Sequence, residues 1–386
     1  MKDNNLCNKK EFSRDDTKII KGVAVVLMLM HHLWFFPDRI AGGELKHLFT
    51  IFGESSLGYF GSFGKICVSL FFFLGGYGIY IQSRKENFNL INNIKKLFTS
   101  YWKVFLIFIP IAFIFFSNQI PYAANDFSYA RYNSFSWSEV IKNFFTFSCT
   151  LNGEWWFLNS YLFAIISFPI IKQIISKFNS KYNIIIVIAV LILGTYVFPA
   201  IGNISKLGTL NNNYFYYNFL CKSFPWVACF WMGAVFAKDD LLIKFYNKIN
   251  NSIHLNIIID FLIIMAIIFF REQIVAEELD ILYAPLLSII FIDLADKLKI
   301  IKFIFYKLGC KSTNMFLIHS FYCYYFGIFA KITTYFKWGI PCLLVLIVMT
   351  YISSVILDFF WDYVFEKYNC IKNSLRPKRP ETVCKE

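Results

Sequence analysis

The segment TKIIKGVAVVLMLMHHLWFFP, residues 17–37, is the stretch that decides the fold class of this chain. It is almost wholly apolar, and about 20 such residues are enough to cross the ~30 Å hydrocarbon core of a bilayer as one helix. Polar side chains interrupt it at Lys21, near its start, and at His31 and His32, near its end. Titratable groups at that depth usually face a protein interior or a water-filled cavity. We therefore interpret the segment as a membrane span that contributes to a buried site.

Apolar runs of similar length recur along the whole chain of 386 residues. Hydrophobic residues make up 57% of the sequence and charged residues only 16%, whereas a soluble domain has about 25% charged residues. The sequence therefore predicts an all-α integral membrane protein. About ten transmembrane helices are expected, at residues 19–36, 64–82, 101–117, 155–171, 183–201, 220–237, 255–270, 279–295, 312–330 and 338–361.

The basic residues alternate between two sets of connecting segments. Of the 38 Lys and Arg residues, 28 lie in the two terminal segments and in every second loop, and 10 lie in the loops between. By the positive-inside rule this distribution predicts that both termini are cytosolic. The net charge of +13 then reflects topology and contact with membrane lipids. Because the basic residues are spread over several short segments, no nucleic-acid partner is predicted.

This layout divides the chain into three parts. They are a cytosolic N-terminal segment (residues 1–18), a membrane domain (19–362) and a basic cytosolic tail (363–386) that we expect to be disordered. The ten cysteines include no CxxC pair, so neither a metal site nor a redox motif is predicted. The outer segment 118–154 is rich in aromatic residues, which either anchor at the headgroups or present rings to a sugar.

Helical geometry relates the polar residues of the first span. Lys21 and His32 are eleven residues apart, which places them on one helix face about 16 Å apart along the axis, while His31 points about 100° away from His32. One interpretation is that Lys21 and His32 belong to a common site. The alternative is that Lys21 extends to the headgroups and His32 only bonds a neighbouring helix.

Five segments resemble, in order, the motifs of the bacterial membrane acyltransferase-3 superfamily. In the first of them Lys21 and His32 match a basic residue and a histidine, and Gly76, Lys96 and His319 match positions in three of the others. The segments are IIKGVAVVLMLMHH, ICVSLFFFLGGYGIYI, NNIKKLFTSYW, GEWWFLNSYLFAII and NMFLIHSFYCYYF. The resemblance covers nearly the whole chain.

The chain departs from the family pattern at two positions. Lys18 stands where an acidic residue is common, and Gly75 replaces the usual serine. The second change removes a possible hydroxyl contact.

The resemblance implies an O-acyltransferase of the bacterial plasma membrane. Such an enzyme moves an acyl group, typically acetyl, from cytosolic acyl-CoA to a hydroxyl of a cell-surface carbohydrate or its lipid-linked precursor. A weakly nucleophilic hydroxyl needs a general base, and histidine is suited to that role near neutral pH. His32 is the candidate base. Acyl-CoA is expected as a co-substrate and not as a bound cofactor. Its phosphates would be held by cationic side chains at the cytosolic mouth, namely Lys21, Arg84, Lys95 and Lys96.

Four further residues are candidates for contact with the acceptor. Glu154, Trp155 and Trp156 lie at the outer end of a predicted span, and His319 lies about 12 Å into another. Each has a structural alternative, as an interfacial side chain or as a helix–helix hydrogen-bonding group. An alternative function also stays open: intramembrane His and Lys residues suit a polysaccharide or lipid-linked glycan exporter, which would show internal repeats and broken helices.

Overall fold

A computed structural model of the protein describes residues 11–119, 131–203, 221–274 and 277–374. Across these residues the chain is mainly helical, and its two short strands, β1 (Thr50–Ile51) and β2 (Glu54–Ser55), form one hairpin. The helices are α1 (Arg14–Trp34), α2 (Ser56–Gly64), α3 (Cys67–Gln82), α4 (Leu90–Phe115), α5 (Trp137–Phe144), α6 (Trp156–Lys177), α7 (Ser180–Ile192), α8 (Phe198–Gly202), α9 (Phe224–Lys238), α10 (Leu241–Ile253), α11 (Ile257–Ile274), α12 (Asp280–Lys297), α13 (Lys299–Ser320), α14 (Gly327–Thr333) and α15 (Gly339–Ser374).

Six stretches in the described ranges are long and apolar enough to cross a membrane. They are Arg14–Trp34, Ser56–Gln82, Leu90–Phe115, Gly153–Lys177, Ser180–Gly202 and Gly339–Cys370. Two bent pairs, α10 with α11 and α13 with α14, raise the number to eight if each pair is one span. The predicted helical, multi-span architecture is confirmed. The total of ten spans and the cytosolic location of both termini stay predictions.

Two predicted spans are helices that, within the described residues, are too short or too charged to count among these membrane-crossing stretches. The helix α9, at predicted span 220–237, has 15 residues, and α12, at predicted span 279–295, has 18. The latter carries the four charged residues Asp280, Asp293, Asp296 and Lys297. Short or charged helices of this kind depend on protein neighbours more than on lipid.

Local sequence sets both ends of α1. Ser13 caps its first turn: the Ser13 Oγ accepts a hydrogen bond from the Asp16 backbone N–H at 3.1 Å, and an Asp16 carboxylate oxygen accepts one from the Ser13 backbone N–H at 2.9 Å. This reciprocal capping box satisfies two backbone donors that a helix start leaves open. The helix ends at Trp34, three residues before Pro37. Because proline cannot continue a helix, the chain turns there and leaves His32 in the last turn.

Two glycines bring α1 and α13 into backbone contact. A side chain at Gly22 would collide with the Phe305 carbonyl oxygen, and one at Gly309 would collide with the Lys18 carbonyl oxygen. The Cα–Cβ bond of a helical residue tilts towards the N-terminus of its helix. Gly22 faces the turn that precedes Gly309, and Gly309 faces the turn that precedes Gly22, so the two helices run parallel. Small residues at such crossings allow close packing in membranes, where lipid provides no hydrophobic drive for association.

A second pair of glycines brings α3 and α9 into backbone contact. A side chain at Gly76 would meet the Phe230 carbonyl oxygen, and one at Gly233 would meet the Phe73 carbonyl oxygen. The helices α3 and α9 are therefore also parallel and in close contact. The glycine-rich sequence around Gly76 has a packing role in addition to any part it plays in a site.

The helix α15 extends further than the sequence suggested. With 36 residues it is about 54 Å long, well beyond the ~30 Å of a bilayer core. It includes residues 363–374, where a disordered tail was expected, and the rest of that tail, residues 375–386, lies outside the described part of the chain. The extension is supported by α4: the Trp361 Nε1–H donates to the Lys103 carbonyl oxygen at 2.9 Å, and the Lys103 ammonium lies 5.4 Å from the Phe365 ring centre.

Candidate active site

The parallel helices α1 and α13 bring two histidines together. His32 lies ten residues after Gly22, and His319 lies ten residues after Gly309. Because both helices rise 1.5 Å per residue, both rings lie about 15 Å beyond the crossing. Their centroids are 4.7 Å apart. The His319 side chain is fully buried, and 12% of the His32 side chain is exposed.

Glu154 completes a charged group around His32. One of its carboxylate oxygens lies 3.5 Å from His32 Nε2, and the other lies 3.6 Å from an Arg39 guanidinium nitrogen. The guanidinium also lies over the Phe36 ring, 4.0 Å from its centre. A carboxylate between an imidazole and a guanidinium stabilises a proton that arrives on the imidazole.

The turn that carries Glu154 is fixed to the end of α13. The Asn152 side-chain oxygen accepts a hydrogen bond from the Glu154 backbone N–H at 3.1 Å, and its amide donates to the Ser320 hydroxyl at 2.7 Å. The Gly153 backbone N–H donates to the Tyr325 hydroxyl at 3.1 Å. The C-terminal end of α13 therefore positions His319 and the Glu154 turn together.

A π-helical turn, Phe321–Tyr325, continues α13 and aims Tyr324 at His32. The Tyr324 hydroxyl donates to the His32 backbone carbonyl oxygen at 2.5 Å, and its oxygen lies 3.2 Å from His32 Nδ1. Because the single hydroxyl proton points at the carbonyl, the oxygen is an acceptor for Nδ1–H. In the neutral ring the lone pair of His32 is then on Nε2, which faces Glu154. Single π-turns in helices are frequent at functional sites.

His319 has the same distribution of proton and lone pair. Its Nδ1 lies 2.5 Å from the Phe316 carbonyl oxygen, so Nδ1 carries the proton and donates it. Its Nε2 is buried and has no hydrogen-bond partner in the described part of the chain. Two imidazole lone pairs and one carboxylate are thus gathered in one buried space, and a ligand there must supply hydrogen-bond donors.

The four cations predicted for the donor are placed differently from one another. Lys21 is half-buried, forms no ion pair with a described residue, and lies near enough to Lys96 for the two charges to interact. Lys95 and Lys96 are exposed on α4. Arg84 instead donates to the Ala237 and Lys238 carbonyl oxygens, at 2.6 and 2.8 Å. The Arg84 guanidinium therefore supplies hydrogen-bond donors to carbonyl groups at the C-terminal end of α9.

The two tryptophans beside Glu154 also differ in their surroundings. Trp155 is buried, and its Nε1–H donates to the Leu317 carbonyl oxygen at 2.9 Å. It packs under the Glu154 turn as a support. Trp156 is half-buried, with its ring 6.1 Å from that of Trp226.

The His31 ring lies edge-on to the His32 ring, with their centroids 5.1 Å apart, but it bonds a different helix. Its Nδ1 is 2.8 Å from the Gly61 carbonyl oxygen on α2, and its ring stacks on Phe35 at 5.2 Å. The two adjacent histidines therefore belong to different helix interfaces, His31 to α1–α2 and His32 to α1–α13.

The glycine at position 75 has a structural cause in this chain. A side chain there would collide with the hydroxyl of Tyr161 on α6. The Tyr161 hydroxyl therefore fills the space that a serine side chain at position 75 would need.

Sequence reasoning did not single out Arg39 or Tyr324. Arg39 counted only as one of the outer charges, although its place seven residues after His32 was a usable signal. Tyr324 lies five residues after His319 in an aromatic run, and only the π-turn makes its direction evident. No group of His, Cys, Asp or Glu in the described ranges could hold a metal ion.

This fold and site define a multi-pass membrane protein with a buried histidine–carboxylate centre. A family model described as an acyltransferase domain matches residues 16–359. The chain belongs to the acyltransferase-3 family and is a membrane acyltransferase. No curated protein and no solved structure matches the chain.

Proposed function

We propose that the protein is an O-acyltransferase of a bacterial plasma membrane that moves an acyl group, in the first place acetyl, from acyl-CoA to a carbohydrate hydroxyl. The acceptor is a cell-surface glycan or its lipid-linked precursor. The observation that supports this most directly is the set of acceptors around His32. The lone pairs of His32 Nε2 and His319 Nε2 lie beside the Glu154 carboxylate. These groups are all hydrogen-bond acceptors, and the hydroxyl of an alcohol acceptor would supply the matching donor.

The chemical step follows from these positions. The acceptor hydroxyl donates its proton to His32 Nε2 while its oxygen attacks the thioester carbonyl carbon. The C–S bond then breaks, the CoA sulfur leaves, and the proton on His32 passes to it, so the products are an ester and free CoA. Glu154, balanced by Arg39, stabilises the transient imidazolium, and Tyr324 holds the ring in the tautomer that accepts at Nε2. General-base catalysis of this kind contributes about 10²–10⁴-fold to a rate.

The donor is proposed to enter from the end of α1 that carries Lys21. Lys21 and Lys96 bring two positive charges together, and a CoA phosphate would relieve their repulsion. The roughly 16 Å between Lys21 and His32 along α1 suits an extended pantetheine arm. Lys95 is exposed one residue before Lys96 and would add to the positive field. Arg84 is the weakest of the proposed contacts, because its guanidinium already donates to α9.

One structural feature fits the alternative of a glycan exporter. The chain bends by 95° between α13 and α14, directly after the π-turn, and broken helices near a site are typical of transporters. The family match describes an acyltransferase domain over nearly the whole chain and favours transfer.

A single experiment separates these functions. Glycans from a strain without the protein would be compared by mass spectrometry with those from a strain that expresses it. We expect the loss of one acyl mass from one glycan, with the glycan itself still exported. Loss of export with acylation intact on the accumulated glycan would contradict the proposal and support the transporter.

A further inference from the structure

A cavity of about 370 Å³ lies beside the C-terminal end of α1, on the side that faces α2 and the β-hairpin. Its volume is within the ~300–1,000 Å³ typical of ligand sites. Trp34 and Phe35 contribute aromatic walls, and Glu44, Glu54 and Glu272 contribute carboxylates. The cavity is separate from the space between His32 and His319, and no step described above uses it.

The polar groups of the cavity are all acceptors or uncharged. Glu272 forms an ion pair with Arg271 at 2.6 Å. Glu44 and Glu54 are exposed at the rim of the cavity and form no ion pair or hydrogen bond with a described residue through their side chains. The Ser55 hydroxyl is buried and also has no partner there. No Lys, Arg or His lines the cavity. An anionic ligand would meet only like charges, whereas a cation with an apolar face would meet complementary walls.

The cavity and the candidate active site share one wall. Leu33, Phe35 and Pro37 line the cavity. Phe36, between them in the chain, stacks on His32 with ring centroids 6.1 Å apart and lies under Arg39. A glycan chain lying over residues 33–37 would contact both the cavity and the candidate active site. The cavity could therefore hold the sugar unit next to the one that is acylated.

We infer that this cavity is an acceptor subsite for an amino sugar. The sugar ring lies against Trp34 and Phe35, as aromatic rings pack against apolar faces, and its protonated amine lies between Glu44 and Glu54. This inference rests on the proposed function for the statement that the ligand is part of the acceptor. The chemistry of the ligand, a ring with a positive amine, follows from the cavity itself.

The test measures binding without any acyl donor. The purified full chain in lipid nanodiscs is titrated with a β-1,4-linked trisaccharide of glucosamine and, separately, with the same trisaccharide fully N-acetylated. We expect the amine form to bind more tightly, and Glu44→Gln with Glu54→Gln together to weaken its binding by about threefold or more, since each ion pair of an exposed carboxylate is modest. Glu366→Gln, an exposed carboxylate on α15, is the matched control and should leave the Kd unchanged.

Two results would overturn the inference. One is equal affinity for the amine and N-acetylated trisaccharides, and the other is an unchanged Kd in the double variant. A parallel titration of His32→Ala keeps the inference distinct from the proposed function. Normal trisaccharide binding by a variant that transfers no acyl group would support both. Normal binding by a His32→Ala protein that still transfers would leave the subsite standing and remove His32 as the base.

Discussion

Gly22 and Gly309 face each other where α1 crosses α13, and the backbone of each helix occupies the space that a side chain on the other would need. Ten residues further along each helix are His32 and His319, with their rings 4.7 Å apart. The contact between two residues without side chains therefore sets the register of the two histidines. Any sliding of α13 along α1 would separate the imidazoles and move the Glu154 turn, which is held by Ser320 and Tyr325.

The glycine crossing can be tested by adding one methyl group. Gly22→Ala or Gly309→Ala places a Cβ against a backbone carbonyl, which cannot rotate away. We expect a loss of about 1–3 kcal/mol in stability, as for other overpacked sites, measured by thermal unfolding in detergent. Gly78→Ala is the matched control, because a Cβ there meets nothing within 4 Å. Equal melting temperatures for all three variants would contradict the crossing.

The two adjacent histidines should respond differently to truncation. His32→Ala removes the proposed base and should lower turnover about 10²–10⁴-fold with normal membrane abundance. His31→Ala removes a hydrogen bond to Gly61 and should cost about 1 kcal/mol of stability with little effect on turnover. Acyl transfer and protein abundance are measured for both. Equal losses of transfer, or full transfer by His32→Ala, would rule out the assignment.

Tyr324 should act on the rate and not on the fold. Tyr324→Phe keeps the ring but removes the hydroxyl that donates to the His32 carbonyl and accepts from its Nδ1–H. We expect about a tenfold fall in kcat, equivalent to one hydrogen bond to a group that becomes charged, with KM for the donor unchanged. Tyr322→Phe is the control on the same π-turn, because its hydroxyl bonds Ser353 on α15 instead. If Tyr322→Phe lowered kcat as much as Tyr324→Phe, the effect would belong to the π-turn in general and not to the contact of Tyr324 with His32.

Lys21 should affect the donor and not the acceptor. Lys21→Ala is expected to raise the KM for acyl-CoA about tenfold, as for loss of one charged contact, while Lys21→Arg keeps most of the activity because it keeps the charge. Steady-state kinetics with varied acyl-CoA measure this. Lys307→Ala, an exposed lysine on α13 over the Phe303 ring, is the control. An unchanged donor KM in Lys21→Ala would make Lys21 a headgroup anchor only.

The predicted topology can be checked across one span. The helix Leu90–Phe115 lies between Asn87 and Ser136, and the distribution of Lys and Arg predicts a cytosolic Asn87 and an outer Ser136. Reporter fusions at these residues should be active on opposite sides of the membrane. The reverse result would exchange the two faces and place Lys21 at the outer surface, far from cytosolic acyl-CoA.

The sequence by itself determined the class of fold and one face of the site. Apolar length, the charge alternation and the eleven-residue spacing of Lys21 and His32 are properties of consecutive residues. They can be deduced from the 1.5 Å rise and 100° turn of a helix and from the cost of polar groups in lipid. The different directions of His31 and His32 follow from the same helical period, because adjacent residues on a helix always point about 100° apart.

Only the tertiary structure decided which other residues meet His32. Glu154 lies more than 100 residues from His32 in the chain, and His319 and Tyr324 lie on another helix still further away; two glycines and a π-turn bring them together. Arg84 was predicted from its position near the cytosolic face to bind the donor, and Trp155 from its place beside Glu154 to contact the acceptor. Only the structure shows that their side chains donate to backbone carbonyls of α9 and α13. The physical reason is that a backbone crossing and a single π-turn depend on contacts between helices. Hydropathy and helical period describe one helix at a time, so they cannot predict where two helices touch.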